Sequence, residues 1–536
     1  MADYVIIGGG SAGCVLANRL SADPTVQVTL LEAGGGDDHF LYRMPAGFVG
    51  LMKIGMGNWN YESVPQPGLN GRKMYFPRGK VLGGSSSING LVVCRGNAGD
   101  YDHWAQLGNL GWSYQDCLPY FMKLERYPEG DPEYRGVAGP IGVCSPASIE
   151  KMNPICRAWI EAGIEAGYRY NPDANGANQE GFGPAQANFL QGIRQSASTC
   201  YLKPVFSRPN LKIITNALAT RIVVNRGRAT AVEFAQGKSR QIVEADRDII
   251  LSGGAINSPQ LLQLSGIGDP EDICPHGIAV QHELKGVGKN LCDHIGISLK
   301  QRITKSYSLL AKTKRLNVAL SFLQYFLLKS GPSAGNGLDA WAFLKSRAGL
   351  EYPDLQLFCV PLMHNESGRQ IIPEEGFMSY VNGCKPRSAG SVRICSADPA
   401  VAPAIDPNYF GDPEDLRSLR EGIRIMRDLI SRKSFETFRG DEYEPGVNAT
   451  SDDDLDAFIR AKSQTGFHAA GTCKMGGDPM AVVDSSLRVR GLQGLRIVDA
   501  SVIPEITSGN TNFPTMMIAE KAADMLINDC VVPLKN

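Results

Sequence analysis

Gly8, Gly10 and Gly13 stand at the spacing G-x-G-x-x-G between the β-branched run Tyr4-Val5-Ile6-Ile7 and the helical pattern Cys14-Val15-Leu16-Ala17-Asn18-Arg19-Leu20. Glu32 closes a second apolar run, Val26-Gln27-Val28-Thr29-Leu30-Leu31, about twenty residues further on. These types at these spacings predict dinucleotide binding. Gly8 permits a tight turn, Gly10 lets the backbone approach a pyrophosphate, and Gly13 lets the helix lie close on the strand. The helix start at Ser11 and Ala12 offers free N–H groups to the phosphates. Glu32 is placed to accept from ribose hydroxyls, and its charge disfavours a 2′-phosphate there. The turn alone is a weak signal; the strand, helix, strand and acid around it make it a strong one.

Such a turn needs a parallel sheet beneath it, and the chain supplies further parts of one. Leu211-Lys212-Ile213-Ile214-Thr215 and Arg221-Ile222-Val223-Val224 read as short strands. Asp248-Ile249-Ile250-Leu251-Ser252 reads as a buried strand that turns through Gly253-Gly254 into a helix, with Ser258 expected as N-cap and Pro259 at the first helical position. Leu495-Arg496-Ile497-Val498 reads as a strand ending at Asp499, and Pro514 to Leu526 as a closing helix. Between these blocks the pattern changes. Leu355 to Val360 and Gly390 to Ile394 read as strands of a second sheet, followed by an amphipathic helix near Asp415 to Ser431. The fold expected is an α/β, Rossmann-like nucleotide domain interleaved with an α+β substrate domain on a mostly antiparallel sheet.

Composition narrows the function classes. A chain of 536 residues is too long for one ordinary domain, and neither repeats nor a low-complexity linker divides it. A net charge of −1 gives no electrostatic reason to expect nucleic acid as a partner. Thirteen cysteines show no C-x-x-C pair, which fits reduced thiols in cytoplasm better than a disulfide frame or a zinc site. The acids of Ser451-Asp452-Asp453-Asp454 are read as a helix start, not a metal site, and no metal is expected. The first strand begins too early for a secretory signal ahead of it. The apolar segment Leu316 to Leu328 is shorter than the roughly 20 residues a spanning helix needs. It is expected as a buried or lid-forming helix, with peripheral membrane contact as the alternative, since Lys312, Lys314 and Arg315 precede it.

Seven ordered landmarks make the chain similar to the glucose-methanol-choline (GMC) flavin oxidoreductases, in particular the choline-dehydrogenase-like and alkanol-dehydrogenase branch. They are Gly8 to Gly13 with Glu32-Ala33-Gly34, Pro77-Arg78-Gly79-Lys80-Val81-Leu82-Gly83-Gly84-Ser85-Ser86-Ser87-Ile88-Asn89, and Ser252-Gly253-Gly254-Ala255 with Ser258-Pro259-Gln260-Leu261-Leu262. There follow Val287-Gly288-Lys289-Asn290-Leu291-Cys292-Asp293-His294, His468-Ala469-Ala470-Gly471-Thr472-Cys473-Lys474-Met475-Gly476, Val498-Asp499-Ala500-Ser501, and Gly509-Asn510-Thr511-Asn512-Phe513-Pro514-Thr515. The resemblance implies FAD as cofactor. The Gly83-Gly84-Ser85 turn and the stretch from Asn89 through Gly90 to Val92 would then lie along the isoalloxazine and ribityl chain. Asp499 and Ala500 would approach the diphosphate, the Ala219 backbone the adenine, and Trp59 the cofactor. Arg78, Gly79, Val81, Ser252 and Thr515, within or beside the matching motifs, are carried over as further cofactor contacts. Some relatives attach FAD through a histidine where this chain has Ile88, so the flavin is expected to be non-covalent. By the same resemblance residues 1–155, 197–300 and 465–536 form the FAD-binding domain, and 156–196 and 301–464 the substrate domain.

The implied reaction is oxidation of a small-molecule alcohol to an aldehyde or ketone. The hydride goes to flavin N5 and the hydroxyl proton needs a base, for which a neutral imidazole is suited. Of seven histidines, His468 occupies the family's catalytic position, and Asn512 is assigned as its partner at the substrate oxygen. The adjacent Asp293 and His294 are read as structural, not as a catalytic dyad. Relatives often carry a proline and a branched residue where this chain has Ala469-Ala470, and Gly466 is likewise small; both bear on loop stiffness and pocket size. Electrons would pass to a quinone, a dye or O2. A nicotinamide-dependent dehydrogenase, an FAD-containing hydroxynitrile lyase without net redox, and a flavin-bearing electron carrier remain as rival readings, and substrate, oxidase or dehydrogenase character and oligomeric state stay open.

Overall fold

The first strand, β1 (Ala2–Ile7), is buried from Tyr4 to Ile7 because both of its faces are covered, and β2 (Val28–Leu31) is buried throughout. Both pair in parallel, as continuous apolar strands of a covered sheet do. The structure is a computed structural model that describes residues 2–366, 368 and 370–531. Its nucleotide sheet runs Leu211–Ile214, β2, β1, β3 (Ser239–Leu251) and Leu495–Ile497, all neighbours parallel. Beyond the parallel part, the N-terminal half of β3 extends into an antiparallel meander with Arg228–Gln236 and Ala217–Asn225. Helix α1 (Ser11–Leu20) and the closing helix Asn512–Val531 pack over this sheet. The sequence-expected helix after β3 begins at Gly254, one turn before Ser258. Ser258 does not cap it; its hydroxyl donates to Asp499 Oδ2 at 2.6 Å. Pro259 therefore lies inside the helix and cannot donate to the Ala255 carbonyl, which takes the Thr472 hydroxyl at 2.7 Å instead.

The second sheet is wholly antiparallel. Its order is Arg439–Glu444, Ile295–Ile303, Gly376–Gly383, Leu355–Val360, Ala340–Leu344 and Gly181–Pro184, with Gln464–Thr465 pairing to Ile295–Gly296. The expected strand at Gly390–Arg393 forms, but in a separate three-stranded sheet with Lys289–Leu291 and Ala404–Asp406. The amphipathic helix Pro413–Ser431 lays Leu419, Ile423, Met426 and Leu429 into the second core, and Asp412 caps it. Ser451 and Asp454 form a capping box, so the acidic run is a helix start as expected.

Two further helices roof the space between the sheets. They are α2 (Gly47–Ile54) and α3 (Arg315–Leu328), and the ring of Phe326 on α3 meets that of Phe40, ahead of α2, at 5.4 Å. Among the described residues no helix is long and apolar enough to cross a membrane.

Candidate functional site

The cofactor end is built by close approach of backbones. A Cβ on Gly13 would sit 1.9 Å from the Gly8 carbonyl oxygen, so only glycine lets α1 lie this near β1. Gly84, at φ 52°, faces Gly10, whose Cα lies 2.7 Å from where a Gly84 Cβ would be. Gly83 donates its N–H to the Gly9 carbonyl at 2.7 Å, tying the two glycine turns together. Glu32 is buried and accepts from the N–H groups of Gly9 at 2.8 Å and Gly34 at 2.7 Å. Burial pushes its carboxyl up to about 7.

One cavity of about 910 Å³ runs between the two sheets. Of the sequence-expected contacts, Gly8, Gly10, Ser11, Ala12, Glu32 and Ala33 line one end with Ala219 and Ser252. Trp59, Arg78, Gly79, Gly84, Ser85, Asn89, Gly90 and Val92 line its length, and Asp499, Ala500, Asn512 and Thr515 close it from the C-terminal block. Gly13, Val81 and Gly83 do not reach it: Gly13 packs on Gly8, Val81 is buried against Tyr42 and Leu51, and Gly83 braces Gly9.

The lining fits a flavin dinucleotide. Asn512 Nδ2, Ser252 Oγ and Arg78 Nη2 are buried without a protein partner, although their residues border the cavity. Buried donors of this kind cost roughly 1–3 kcal/mol each unless something accepts from them. The start of α1, which borders the cavity at Ser11 and Ala12, adds an anion-binding terminus. Gly90 and Gly254 border open space where a Cβ would meet nothing within 4 Å. Ser11, Asn512 and the α1 terminus would hold the diphosphate, and Glu32 the ribose.

His468 stands in the middle of the cavity wall on a loop held from three sides. Its backbone N–H donates to Asp293 Oδ1 at 2.6 Å. Asp293 Oδ2 in turn accepts from the Thr465 hydroxyl at 2.5 Å and from the Tyr409 hydroxyl. Arg78 Nη1 donates to the Phe467 carbonyl at 2.8 Å, and Phe467 itself sits at φ 64°, a left-handed conformation that costs a bulky residue roughly 1–2 kcal/mol. The strain fixes the direction in which the next side chain leaves the loop. Burial, then the neighbouring His294 and Arg78, hold the His468 imidazole well below its ordinary range, so the ring is neutral.

The expected partner is corrected by the geometry. Asn510 Nδ2, not Asn512, lies 2.9 Å from His468 Nε2, and Gln356 Nε2 donates to Asn510 Oδ1 at 3.1 Å. Asn512 heads the closing helix and its Oδ1 accepts from the Ser11 hydroxyl at 2.8 Å, facing α1. His294, read from the sequence as structural beside Asp293, faces the imidazole of His468. Its Nδ1 meets His468 Nδ1 at 2.9 Å, while the adjacent Asp293 braces the backbone and is not the ring's partner. The G-N-T-N repeat left the two asparagines equivalent, and nothing local marks His294 as the neighbour of a residue 174 positions away.

Beyond His468 the cavity is walled by Phe358, Val360, Met378 and Tyr380 of the second sheet and by Phe48, Met52, Val318 and Phe322 under the roof helices. Among the described residues, two carboxylates line the cavity, Glu32 and Asp499. Both belong to the nucleotide end, and Asp499 is spent on Gly254, Ser258 and Ser501.

Family models described as GMC oxidoreductase match residues 2–296 and 386–519. The chain is 41% identical over 529 residues to an oxygen-dependent choline dehydrogenase of Photobacterium profundum, covering 98% of this chain and 93% of that protein. It is 43% identical over 528 residues to one of Rhizobium etli, covering 98% and 95%. Among solved structures, pyridoxine 4-oxidase from Mesorbium loti superposes with a TM-score of 0.90 at 30% identity over 98% of this chain and 99% of that one. An Aspergillus oryzae formate oxidase variant studied for FAD modification superposes with a TM-score of 0.92 at 27% identity, covering 98% of each chain.

Proposed function

The chain belongs to the GMC oxidoreductase family, FAD-dependent enzymes that oxidise alcohols, and from that premise we propose that His468 is its general base and Asn510 its substrate-oxygen donor. FAD, when held non-covalently in this cavity, would supply the acceptor for the hydride leaving the carbinol carbon. An alcohol entering between Asn510 and His468 gives its hydroxyl proton to His468 Nε2. The Asn510 amide then donates to the oxygen as negative charge gathers on it. Arg78, Asp293 and the strained Phe467 keep the imidazole in place, and burial keeps it unprotonated and able to accept. We assign residues 1–155, 197–300 and 465–536 to the FAD-binding domain and the remainder to the substrate domain. The observation that carries the reading is the 2.9 Å contact between His468 Nε2 and Asn510 Nδ2 at the cavity wall.

The substrate is an uncharged alcohol with an apolar body. The two choline dehydrogenases it resembles act on choline, whose fixed positive charge needs a carboxylate or an aromatic cage once it leaves water. Here, among the described residues, the chamber beyond His468 has no carboxylate and Lys53 and Lys312 both border the cavity, so its rings, Phe48, Phe322, Phe358 and Tyr380, would have to hold a fixed cation with no anion beside them and two ammonium groups on the same cavity. Ser298 Oγ and Asn382 Oδ1, buried and unpartnered on its wall, offer one polar foothold. The test is an anaerobic panel of aliphatic, aryl-methyl, polyol and choline alcohols scored by bleaching of flavin absorbance, repeated with O2 and with a quinone or dye as acceptor. An apolar primary alcohol should bleach the flavin in the wild type and not in His468→Ala, which should keep its FAD. Bleaching that survives in His468→Ala removes the base assignment; choline as the best substrate removes the substrate class.

A further inference from the structure

Helix α3 is apolar on two opposite faces. Val318 and Phe322 line the cavity and Tyr325 is 2% exposed, one inward stripe. Leu316, Leu320, Leu323 and Leu327, another stripe at helical spacing, are 72%, 54%, 56% and 71% exposed. Phe326 and Leu328, and Ile54 at the end of α2, are also half or more exposed. A contiguous apolar surface of this kind on a water-soluble fold marks a contact site.

The charges around the patch identify what it contacts. Residues 39–58 and 305–338 contain Arg43, Lys53, Lys305, Lys312, Lys314, Arg315 and Lys329, and not one Asp or Glu. Among the described residues none of these seven cations is in an ion pair, and Lys329 instead lies over the rings of Tyr325 and Phe326. Of the acids that abut these stretches, Asp38 faces Lys203, and Asp339, half-buried, accepts from the Asn153 backbone N–H; Glu375 is occupied by Ser306 and Ser308.

We propose that α3 and α2 form a docking surface for an anionic phospholipid bilayer. The outward leucines enter the headgroup and acyl boundary, the flanking cations meet lipid phosphates, and α3, at 14 residues, lies in the plane without spanning it. The inward face of the same helix walls the chamber below, so docking sets the chamber against the phase in which an apolar alcohol concentrates. The binding itself does not depend on which alcohol is oxidised.

The test is vesicle flotation of the FAD-loaded protein with phosphatidylcholine alone and with added phosphatidylglycerol. The protein should float with the phosphatidylglycerol vesicles, less so in high salt. Leu320→Gln, Leu323→Gln and Leu327→Gln together should weaken that binding by at least about tenfold, because three side chains of this size contribute more than 1.4 kcal/mol on insertion. The triple variant should keep wild-type flavin content and turnover of a short water-soluble alcohol, which shows it folded. Absence of flotation with either vesicle overturns the proposal. So does a wild type that sediments as a dimer, becomes monomeric on the triple substitution and ignores vesicles, since the occupant is then a second copy of the chain.

Discussion

His294 Nδ1 and His468 Nδ1 lie 2.9 Å apart, and the far nitrogen of His294 faces the Cys384 carbonyl at 3.2 Å. A carbonyl only accepts, so His294 carries its proton on Nε2 and presents a lone pair at Nδ1. His468 therefore carries its proton on Nδ1 and leaves Nε2 free to accept, toward Asn510 and the cavity. The tautomer of the base is set by a backbone oxygen two residues removed from it in the hydrogen-bond chain. His294→Ala should lower the flavin reduction rate by roughly 10- to 100-fold, with little change in KM and a shifted pH profile. His294→Gln, which can still accept at that position, should recover part of the rate. Equal rates for wild type and both variants would show that the pair does not set the tautomer.

Asn510 and Asn512 separate by assay. Asn510→Ala removes a donor at the developing oxyanion and should slow flavin reduction by about 10²–10³-fold while FAD stays bound. Asn512→Ala removes the buried amide that faces Ser11 and should instead weaken FAD retention, read as cofactor lost on dilution and gel filtration. The reverse pattern would return Asn512 to the chemistry.

Gly84→Ala places a methyl 2.7 Å from Gly10 Cα at φ 52°. Both turns would have to part, so this variant should lose FAD and melt at lower temperature, with the backbone strain alone costing about 1–2 kcal/mol. Full cofactor content with an unchanged melting temperature would mean that the two glycine turns approach less closely than described.

Acid should destabilise the enzyme through its buried imidazoles. Burial holds His294 at about 4 when folded, against about 6.5 in the unfolded chain. Between those values the unfolded state binds a proton the native state refuses, so stability falls as pH drops below about 6.5 and the loss levels off near 4. His294 alone accounts for at most about 3 kcal/mol, and His468 works in the same sense. Glu32, raised by burial, works in the opposite sense and cancels on comparison with His294→Gln. Urea midpoints at pH 7 and 4.5 should converge less steeply in that variant; parallel declines would place the acid sensitivity elsewhere.

Much of the nucleotide half was legible in the chain. Gly8 to Gly13, Glu32 and the strand after Asp248 are read from neighbours in sequence, because a tight turn, a covered strand and a helix terminus each depend on residues within one or two turns of one another. The Ser451 cap followed for the same reason. The helix start before Pro259 did not, since its orphaned carbonyl is satisfied by Thr472 from a distant block.

What the tertiary structure alone decided is direction and distance. Successive residues at a helix start point about 100° apart, so of two asparagines two positions apart one faces the imidazole and the other faces α1. His294 reaches His468 only because Ile295 and Thr465 pair at the edge of the second sheet. The leucines of α3 announce an apolar helix in the sequence; which of its faces is covered depends on what packs there, and side-chain type carries no record of that.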